Sequence, residues 1–385
     1  MVAGEAAMTI SLADSVFLSV SPDAARPKVL GFLLFSMLPF AVIAPWIGPR
    51  IDRIRGGQRM VVVAVGVMRA LVLFGMTRVL KDSGIPLFAL VFSSLVLAKT
   101  YAISKSAIVP TIVTDEDALV DANGRLGQIA GVTGFVVAVP IGLLQVIDAR
   151  LSLGLGIVAF VCAALNAFRL PKTVIADRPA DTLEIEELHS PAVLQAALAM
   201  KILRGAVGFN FFHLAFWLRN ETAGTLWFGL AISVSGLATL SANFVGPRLR
   251  RRIREQTMIA ISLMLVAVAG IGAAFSGRVV AGIIVASVVN AAAALCRLAF
   301  EAVVQQGAPD ANRGRAFSSF ETQNQLAWVV AGLVPVVFRP AGWLGFACMG
   351  LIGLVGFVLF FRFPGGVRVS RGARATGRGP RLRSE

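Results

Sequence analysis

Gly48-Pro49-Arg50-Ile51-Asp52-Arg53-Ile54-Arg55 closes one long apolar stretch, and Gly246-Pro247-Arg248-Leu249-Arg250-Arg251-Arg252-Ile253-Arg254 closes another, 198 residues later. In a chain of 385 residues that offset is about half the length. A Gly-Pro-Arg turn repeated between hydrophobic spans is what a membrane protein made of two similar halves should carry.

Two further correspondences support duplication. Val139-Pro140 is matched by Val334-Pro335, and Ala107-Ile108-Val109 by Ala302-Val303-Val304, both at an offset of 195. The change from 198 to 195 implies a small deletion in between. One such pair arises easily by chance; three at nearly one offset do not.

Composition names the solvent. The chain is 57% hydrophobic and only 15% charged, against about 25% charged in a soluble domain. Too few polar groups remain to cover a water-facing surface. Segments 29–49, 126–147, 151–168, 222–247, 256–277, 279–296, 322–338 and 340–361 contain no Asp, Glu, Lys or Arg. Each is close to the ~20 residues that cross a bilayer. Stretches at about 5–21, 60–80, 84–108 and 201–218 are apolar but broken by charge. Backbone groups in lipid must be satisfied within the segment, so all twelve are expected to be helices.

The predicted organisation is a first six-helix bundle at 1–168, a cytoplasmic linker at 169–191, a second bundle at 192–363 and a basic tail at 364–385. The end of the linker, with residues to Ala199, is expected to form an amphipathic surface helix. The net charge of +15 is distributed by side. With both termini cytoplasmic, 22 of the 36 Lys and Arg fall in inner loops and tail, and eight fall outside. That bias sets the orientation. The basic tail suits anionic headgroups better than nucleic acid. Cys162, Cys296 and Cys348 are scattered and far from His, so they read as small buried packing residues, with no metal site. The first span starts within a few residues of Met1 and carries Glu5 and Asp14, which leads us to expect a true start upstream of Met1.

At these positions the chain resembles the major facilitator superfamily. That family's signature between spans two and three is Gly-x-x-x-Asp-Arg/Lys-x-Gly-Arg/Lys-Arg/Lys. Gly48, Asp52 and Arg53 match it, and Gly56/Gly57 and Arg59 follow displaced by one inserted residue. In the second copy Gly246 and the arginines persist while Arg250 replaces the acid. Pro309-Asp310-Ala311-Asn312-Arg313-Gly314-Arg315-Ala316-Phe317, and Pro110 through Asn123, look like loops of the drug- and siderophore-exporter branch. The resemblance implies an all-α polytopic membrane protein, with twelve transmembrane helices in two pseudo-symmetric six-helix bundles. It also implies a latch between halves formed by Gly48, Asp52, Arg53 and Arg59.

Charges inside spans are costly, about 2.5–3.5 kcal/mol at the bilayer centre, so they mark candidate sites. Lys105, Lys201 and Arg204 lie near predicted cytoplasmic ends and are expected to snorkel. Arg69, Lys99 and Arg297 lie deeper and are candidates for ion pairs or substrate contact. Asp14, Glu301 and Glu321 are the candidates for proton coupling. Glu301 is four residues from Arg297 on one helix face, where the two can neutralise each other. Glu321 is expected to open span eleven, and Asp14 alternatively to partner Lys99 or Arg69. Asn210, His213 and Gln325 are further candidates for the cavity. Pro140 and Pro335 are expected to kink their helices.

No Gly-x-x-x-x-Gly-Lys-Ser/Thr stretch is present for a nucleotide, no catalytic set of residues is readable, and no cofactor is expected. The expected function is secondary transport by alternating access, as proton-coupled export of an amphipathic or hydrophobic small molecule. The alternatives are a lipid flippase, or a transporter-like scaffold or sensor that moves nothing. The expected partners are the lipid bilayer, a small-molecule substrate and protons, with no nucleic acid, the chain acting as a monomer. Its Ala, Val, Gly and Arg usage points to a bacterial plasma membrane.

Overall fold

The computed structural model describes residues 1–12, 57–79, 85–113, 119–170, 190–218, 221, 224–307 and 313–362. Among the described residues there are eleven helices and no strand. They are α1 (Val2–Leu12), α2 (Gly57–Val79), α3 (Ile85–Ile112), α4 (Leu119–Ile147), α5 (Ala149–Ala167), α6 (Pro191–Trp217), α7 (Gly224–Arg250), α8 (Glu255–Ser276), α9 (Val279–Gly307), α10 (Arg313–Phe338) and α11 (Gly342–Arg362). Eight of these helices, α2, α4 to α9 and α11, are long and apolar enough to cross a membrane. The expected second span at 29–49 lies outside the described residues, as does most of the first.

Local chemistry sets the ends. Ser190 caps α6, its Oγ accepting from the Val193 amide at 3.4 Å, and Pro191 occupies the first turn, where no amide partner is needed. Residues 191–199 are thus the start of α6 rather than a separate surface helix. Val193, Ala196, Ala197 and Ala199 are buried in the largest core, which an interfacial helix would not allow. Asp148 caps α5, accepting from the Arg150 amide at 2.7 Å. Gly277 ends α8 in the left-handed region at φ 61°, its amide bonding the Ala273 carbonyl.

The helices pack in two sets. In the first, α1, α2, α4 and α5 interlock, and α3 lies along α2. In the second, α6 is the central element, flanked by α9, α10 and α11, while α8 packs between α9 and α11 and α7 lies on α9. Burying apolar surface gains little between helices already in lipid, so close backbone approach must supply the packing. At one of the tightest crossings, a methyl added to Gly270 of α8 would overlap the Gly350 backbone of α11. Large apolar side chains remain exposed on the outer surfaces, such as Val146, Phe275 and Phe338, as lipid contact requires. Cys162 is exposed on this outer surface, not buried as expected; Cys296 is buried and Cys348 intermediate.

The two sets meet through α4 on α7, α4 on α9 and α3 on α10. Here α3 and α10 explain themselves. Helix α3 carries Lys99, Thr100, Ser104, Lys105 and Ser106, and α10 carries Ser319, Glu321, Gln323, Asn324 and Gln325. Polarity that would be wasted on lipid is turned towards the seam between the sets.

Candidate functional site

The seam is fastened at one end of the molecule. Asn123 Nδ2 donates to Gln305 Oε1 at 2.9 Å, and Gln305 Nε2 donates to the Ser106 carbonyl at 3.3 Å. Gln128 Nε2 donates to the Asn243 carbonyl at 2.8 Å, and Arg251 pairs with Asp121 at 3.4 Å. Gly124, Gly127 and Gly131 of α4 face Pro247, Asn243 and Leu240 of α7 in turn, and Phe135 reaches Gly236. The hydrogen bonds and the ion pair fall towards the end that carries the α3–α4, α7–α8 and α9–α10 connections, and the glycine contacts run from that end to the middle of α4 and α7. It is also the end of the arginine-rich stretch Arg248–Arg254, and is called the basic end below.

Along this seam run three adjoining cavities, the second lined in part by Asn123, Gly127, Gly131, Leu240 and Asn243 themselves. The first, about 150 Å³, is lined by Lys99, Arg204, Arg297, Glu301, Glu321 and Asn324, among others. The second, about 330 Å³, shares Met200, Arg204, Arg297 and Glu301 with the first and adds Lys105, Asn243 and Asn290. The third, about 230 Å³, shares Val207, Gly236, Thr239 and Asn290 with the second. It is lined mostly by apolar residues, Phe211, Leu214, Phe228 and Ile232 among them, with Asn210, Ser235, Thr239 and Asn290 as the polar ones. The first two cavities draw residues from both helix sets.

Helix α6 organises this cleft with three faces. Met200, Arg204, Val207, Phe211 and Leu214, at alternating spacings of four and three, line the cavities. Gly205 and Gly208 face α10, where a methyl on Gly208 would collide with the Trp328 carbonyl. His213 and Trp217 face α11: the His213 ring stacks on Trp217 at 6.1 Å and meets the Phe346 edge at 5.4 Å. His213 is therefore buried against α11, on a different face from the cavity-lining stripe.

The deep charges are paired. Lys99 Nζ donates to Glu321 Oε1 at 2.7 Å across the seam. Arg297 Nε donates to Glu301 Oε1 at 2.7 Å along α9. Arg69, fully buried, donates to Glu5 Oε1 at 2.6 Å and lies 4.4 Å from the Phe160 ring centroid. That pair lies within the first set, apart from the three cavities. Glu321 does not open its helix: α10 begins at Arg313, eight residues earlier, which carries the carboxylate up to Lys99.

Two expectations change for a geometric reason. Arg204 and Lys105 line the cavities and do not snorkel from helix ends. Because α6 starts at Pro191, Arg204 lies thirteen residues in, about 20 Å along the axis. Because α3 runs on to Ile112, Lys105 is about two turns from its end. Lys201 bonds Gln323 Oε1 at 3.0 Å.

Of the remaining candidates, Asp14, Gly48, Asp52 and Arg53 lie outside the described residues. Arg59 bonds the Leu170 carbonyl at 3.5 Å and lies 5.6 Å from the Phe168 ring, both at the end of α5 in its own helix set. Gln325 is buried in α10, with its neighbour Asn324 lining the first cavity. Pro140 lies inside α4, beyond the part that meets α7, and Pro335 inside α10. Sequence reasoning missed Asn123, Gln128, Asn243 and Gln305, whose partners are more than a hundred residues away. It also passed over Glu5 as the partner of Arg69.

Comparison with known proteins follows this geometry. No family model matches the chain. An uncharacterised protein of Mycobacterium leprae is 25% identical over 93% of this chain and 69% of its own length. One from Mycobacterium tuberculosis is 27% identical over 93% of this chain and 71% of its own length. Among solved structures, a bacterial homologue of the iron transporter ferroportin in an outward-facing state superposes with a TM-score of 0.71 at 18% identity, covering 94% of this chain and 96% of that one. The human organic anion transporter MFSD10 gives 0.63 at 16% identity, over 93% and 89% of the two chains. The E. coli fucose:proton symporter FucP, a major facilitator superfamily transporter, gives 0.63 at 14% identity, over 94% and 95%. The chain is a multi-pass membrane protein with the fold of major facilitator superfamily transporters.

Proposed function

We propose that this protein is a secondary transporter working by alternating access, with the helix sets around residues 1–168 and 192–363 rocking about the cleft between them. The observation that carries this reading is the one-ended seal. Cavities lined by both sets run along a seam in which α3, α4, α7, α9 and α10 are hydrogen-bonded to one another, with the bonds of α4 gathered towards the basic end. A scaffold has no need of polar cavities between its halves. By the distribution of Lys and Arg the sealed end is cytoplasmic, so this is the outward-facing arrangement. Two of the similar solved structures are themselves outward-facing.

The finer reading is export of an amphipathic small molecule across a bacterial plasma membrane. The loops at Pro110–Asn123 and Pro309–Phe317 that resemble the exporter branch support it. Proton coupling would fall to carboxyls in the spans, Asp14, Glu301 or Glu321. The similar structures carry cargoes as different as iron, organic anions and fucose, so the fold by itself leaves the cargo open.

The test is flux in proteoliposomes loaded with fluorescent amphipathic dyes under an imposed pH gradient. Transporter-dependent dye movement that collapses with the gradient is expected. Lipid scrambling without dye movement would instead favour a flippase, and absence of any flux a scaffold.

A further inference from the structure

Among the described residues, the cleft carries more positive charge than it pairs. Its two polar cavities are lined by four basic side chains, Lys99, Lys105, Arg204 and Arg297, and two acidic ones, Glu301 and Glu321. Both carboxylates are engaged, Glu321 by Lys99 and Glu301 by Arg297. Among the described residues no carboxylate lies within 4.0 Å of Arg204 or Lys105. Arg204 belongs to both polar cavities and Lys105 to the larger. Charge held in a low-dielectric cleft without a counter-ion is costly. A ligand that brings a negative charge removes that cost.

The third cavity gives the rest of the molecule. It adjoins the second through Val207, Gly236, Thr239 and Asn290. Phe211 and Phe228 meet edge to face in its wall, with ring centroids 5.6 Å apart. Four polar side chains line it, Asn210, Ser235, Thr239 and Asn290, and of these Asn210, 2% exposed, has an Oδ1 with no hydrogen-bond partner among the described residues. Arg204 and Phe211 are on one face of α6, seven residues or about 10 Å apart along the axis. That is the length of a compact molecule with a charged head and a small aromatic or branched body.

We propose that the cleft is an amphipathic-anion site: Arg204 and Lys105 take a carboxylate, sulfonate or phosphate head, the Phe211–Phe228 chamber takes the apolar body, and Asn210 accepts one hydrogen bond from it. This rests on reading the cleft as the transport path and names its cargo class. Arginine suits the head position because its planar donor fork matches a two-oxygen anion. The cations of the two ion pairs, Lys99 and Arg297, add to the attraction without needing to be released.

The experiment uses the full chain in a neutral detergent and three probes with one ring system. They are 2-naphthalenesulfonate, 2-naphthylmethylammonium and 2-naphthalenemethanol, each titrated while the thermal unfolding midpoint is followed. The sulfonate is expected to raise the midpoint at concentrations where the other two do not, with an effect that weakens as salt rises. Its apparent Kd should increase about tenfold or more in Arg204→Gln, and also in Lys105→Gln, while Arg204→Lys, which keeps the charge and loses the fork, falls between wild type and Arg204→Gln. Lys105→Gln keeps the test decisive if Arg204→Gln fails to fold. Stabilisation by the cation equal to that by the sulfonate overturns the proposal. So does no stabilisation by the sulfonate, or unchanged sulfonate binding in both glutamine variants. Because this readout needs no flux, sulfonate binding without transport refutes the transport reading and leaves the anion site standing. Dye flux without sulfonate binding does the reverse.

Discussion

Lys99 and Glu321 are 222 residues apart in the chain and 2.7 Å apart across the seam. Each side chain is about a quarter exposed, 26% and 28%, so the pair faces the cleft and not a dry core. Such a pair should be coupled without being indispensable to folding. Lys99→Met and Glu321→Gln are each expected to slow transport, and the double variant to cost less than their sum. The coupling should be about 0.5–3 kcal/mol in a double-mutant cycle on initial rates; strict additivity would show that the contact does not operate in the cycle. The Arg69–Glu5 pair differs, because Arg69 is fully buried. Glu5→Gln strands that cation. The half-exposed carboxylate tempers the loss, so we expect about 1–3 kcal/mol of destabilisation, below the cost of breaking a fully buried pair. It should appear as a lower unfolding midpoint, and Glu5→Gln with Arg69→Met should recover most of it. Only one of these partners was legible in sequence. Arg297 and Glu301 are four apart on a helix, which geometry turns into a contact; Lys99 with Glu321, and Arg69 with Glu5, depend on helix packing that no local pattern encodes. Arg204 was misread for a related reason. Depth was counted from the apolar stretch at 201–218, whereas the helix starts at the Ser190-Pro191 cap. The stripe Met200, Arg204, Val207, Phe211, Leu214 was there to be read as one face.

At the scale of elements, α4 and α7 form the sliding surface of the seal. Gly124, Gly127 and Gly131 present no side chain to α7, and a methyl on Gly127 would lie 2.7 Å from the Asn243 side chain. A stripe of small residues lets two helices touch closely and part again, since little must be unpacked. Gly127→Leu is expected to hold α4 off α7 and unseal the basic end, while the separate helices stay folded. The measurement is labelling of a single cysteine at Thr239, which lines the second and third cavities, with Cys162, Cys296 and Cys348 replaced. A membrane-impermeant thiol reagent applied from the basic side should react faster in the Gly127→Leu protein. Equal rates would place the seal elsewhere. Most elements were legible because lipid imposes one rule: apolar runs of about 20 residues must be helices. The ends were less legible. The run 126–147 belongs to a helix that starts at Leu119, and its extra turns carry Asp121, Asn123 and Arg125. Asp121 and Asn123 leave the apolar pattern because they serve the seam, the part that hydropathy cannot see.

For the whole molecule, the repeated Gly-Pro-Arg phrase pointed to two similar halves, and the helices do pack as two sets joined along a seam. The phrase could not reveal which end of that seam is closed, because every state of a rocking carrier shares one sequence. Closure is a property of distances, and one of them can be turned into a lock. A Cβ on Gly131 would lie 3.6 Å from Leu240 Cβ, within the roughly 3.5–4.5 Å that a disulfide spans. Gly131→Cys with Leu240→Cys, on a background lacking Cys162, Cys296 and Cys348, should therefore cross-link spontaneously under mild oxidation. With the basic end pinned shut the sets cannot rock, so flux should fall to the level of empty liposomes and return on reduction. Each single-cysteine variant should transport in both conditions. Binding of 2-naphthalenesulfonate should survive the cross-link, because Gly131 and Leu240 line the second cavity without being among the residues that take the anion head or its apolar body. Undiminished flux in fully cross-linked protein would mean that α4 and α7 do not separate during the cycle, and that the seal described here is a fixed floor instead of a gate.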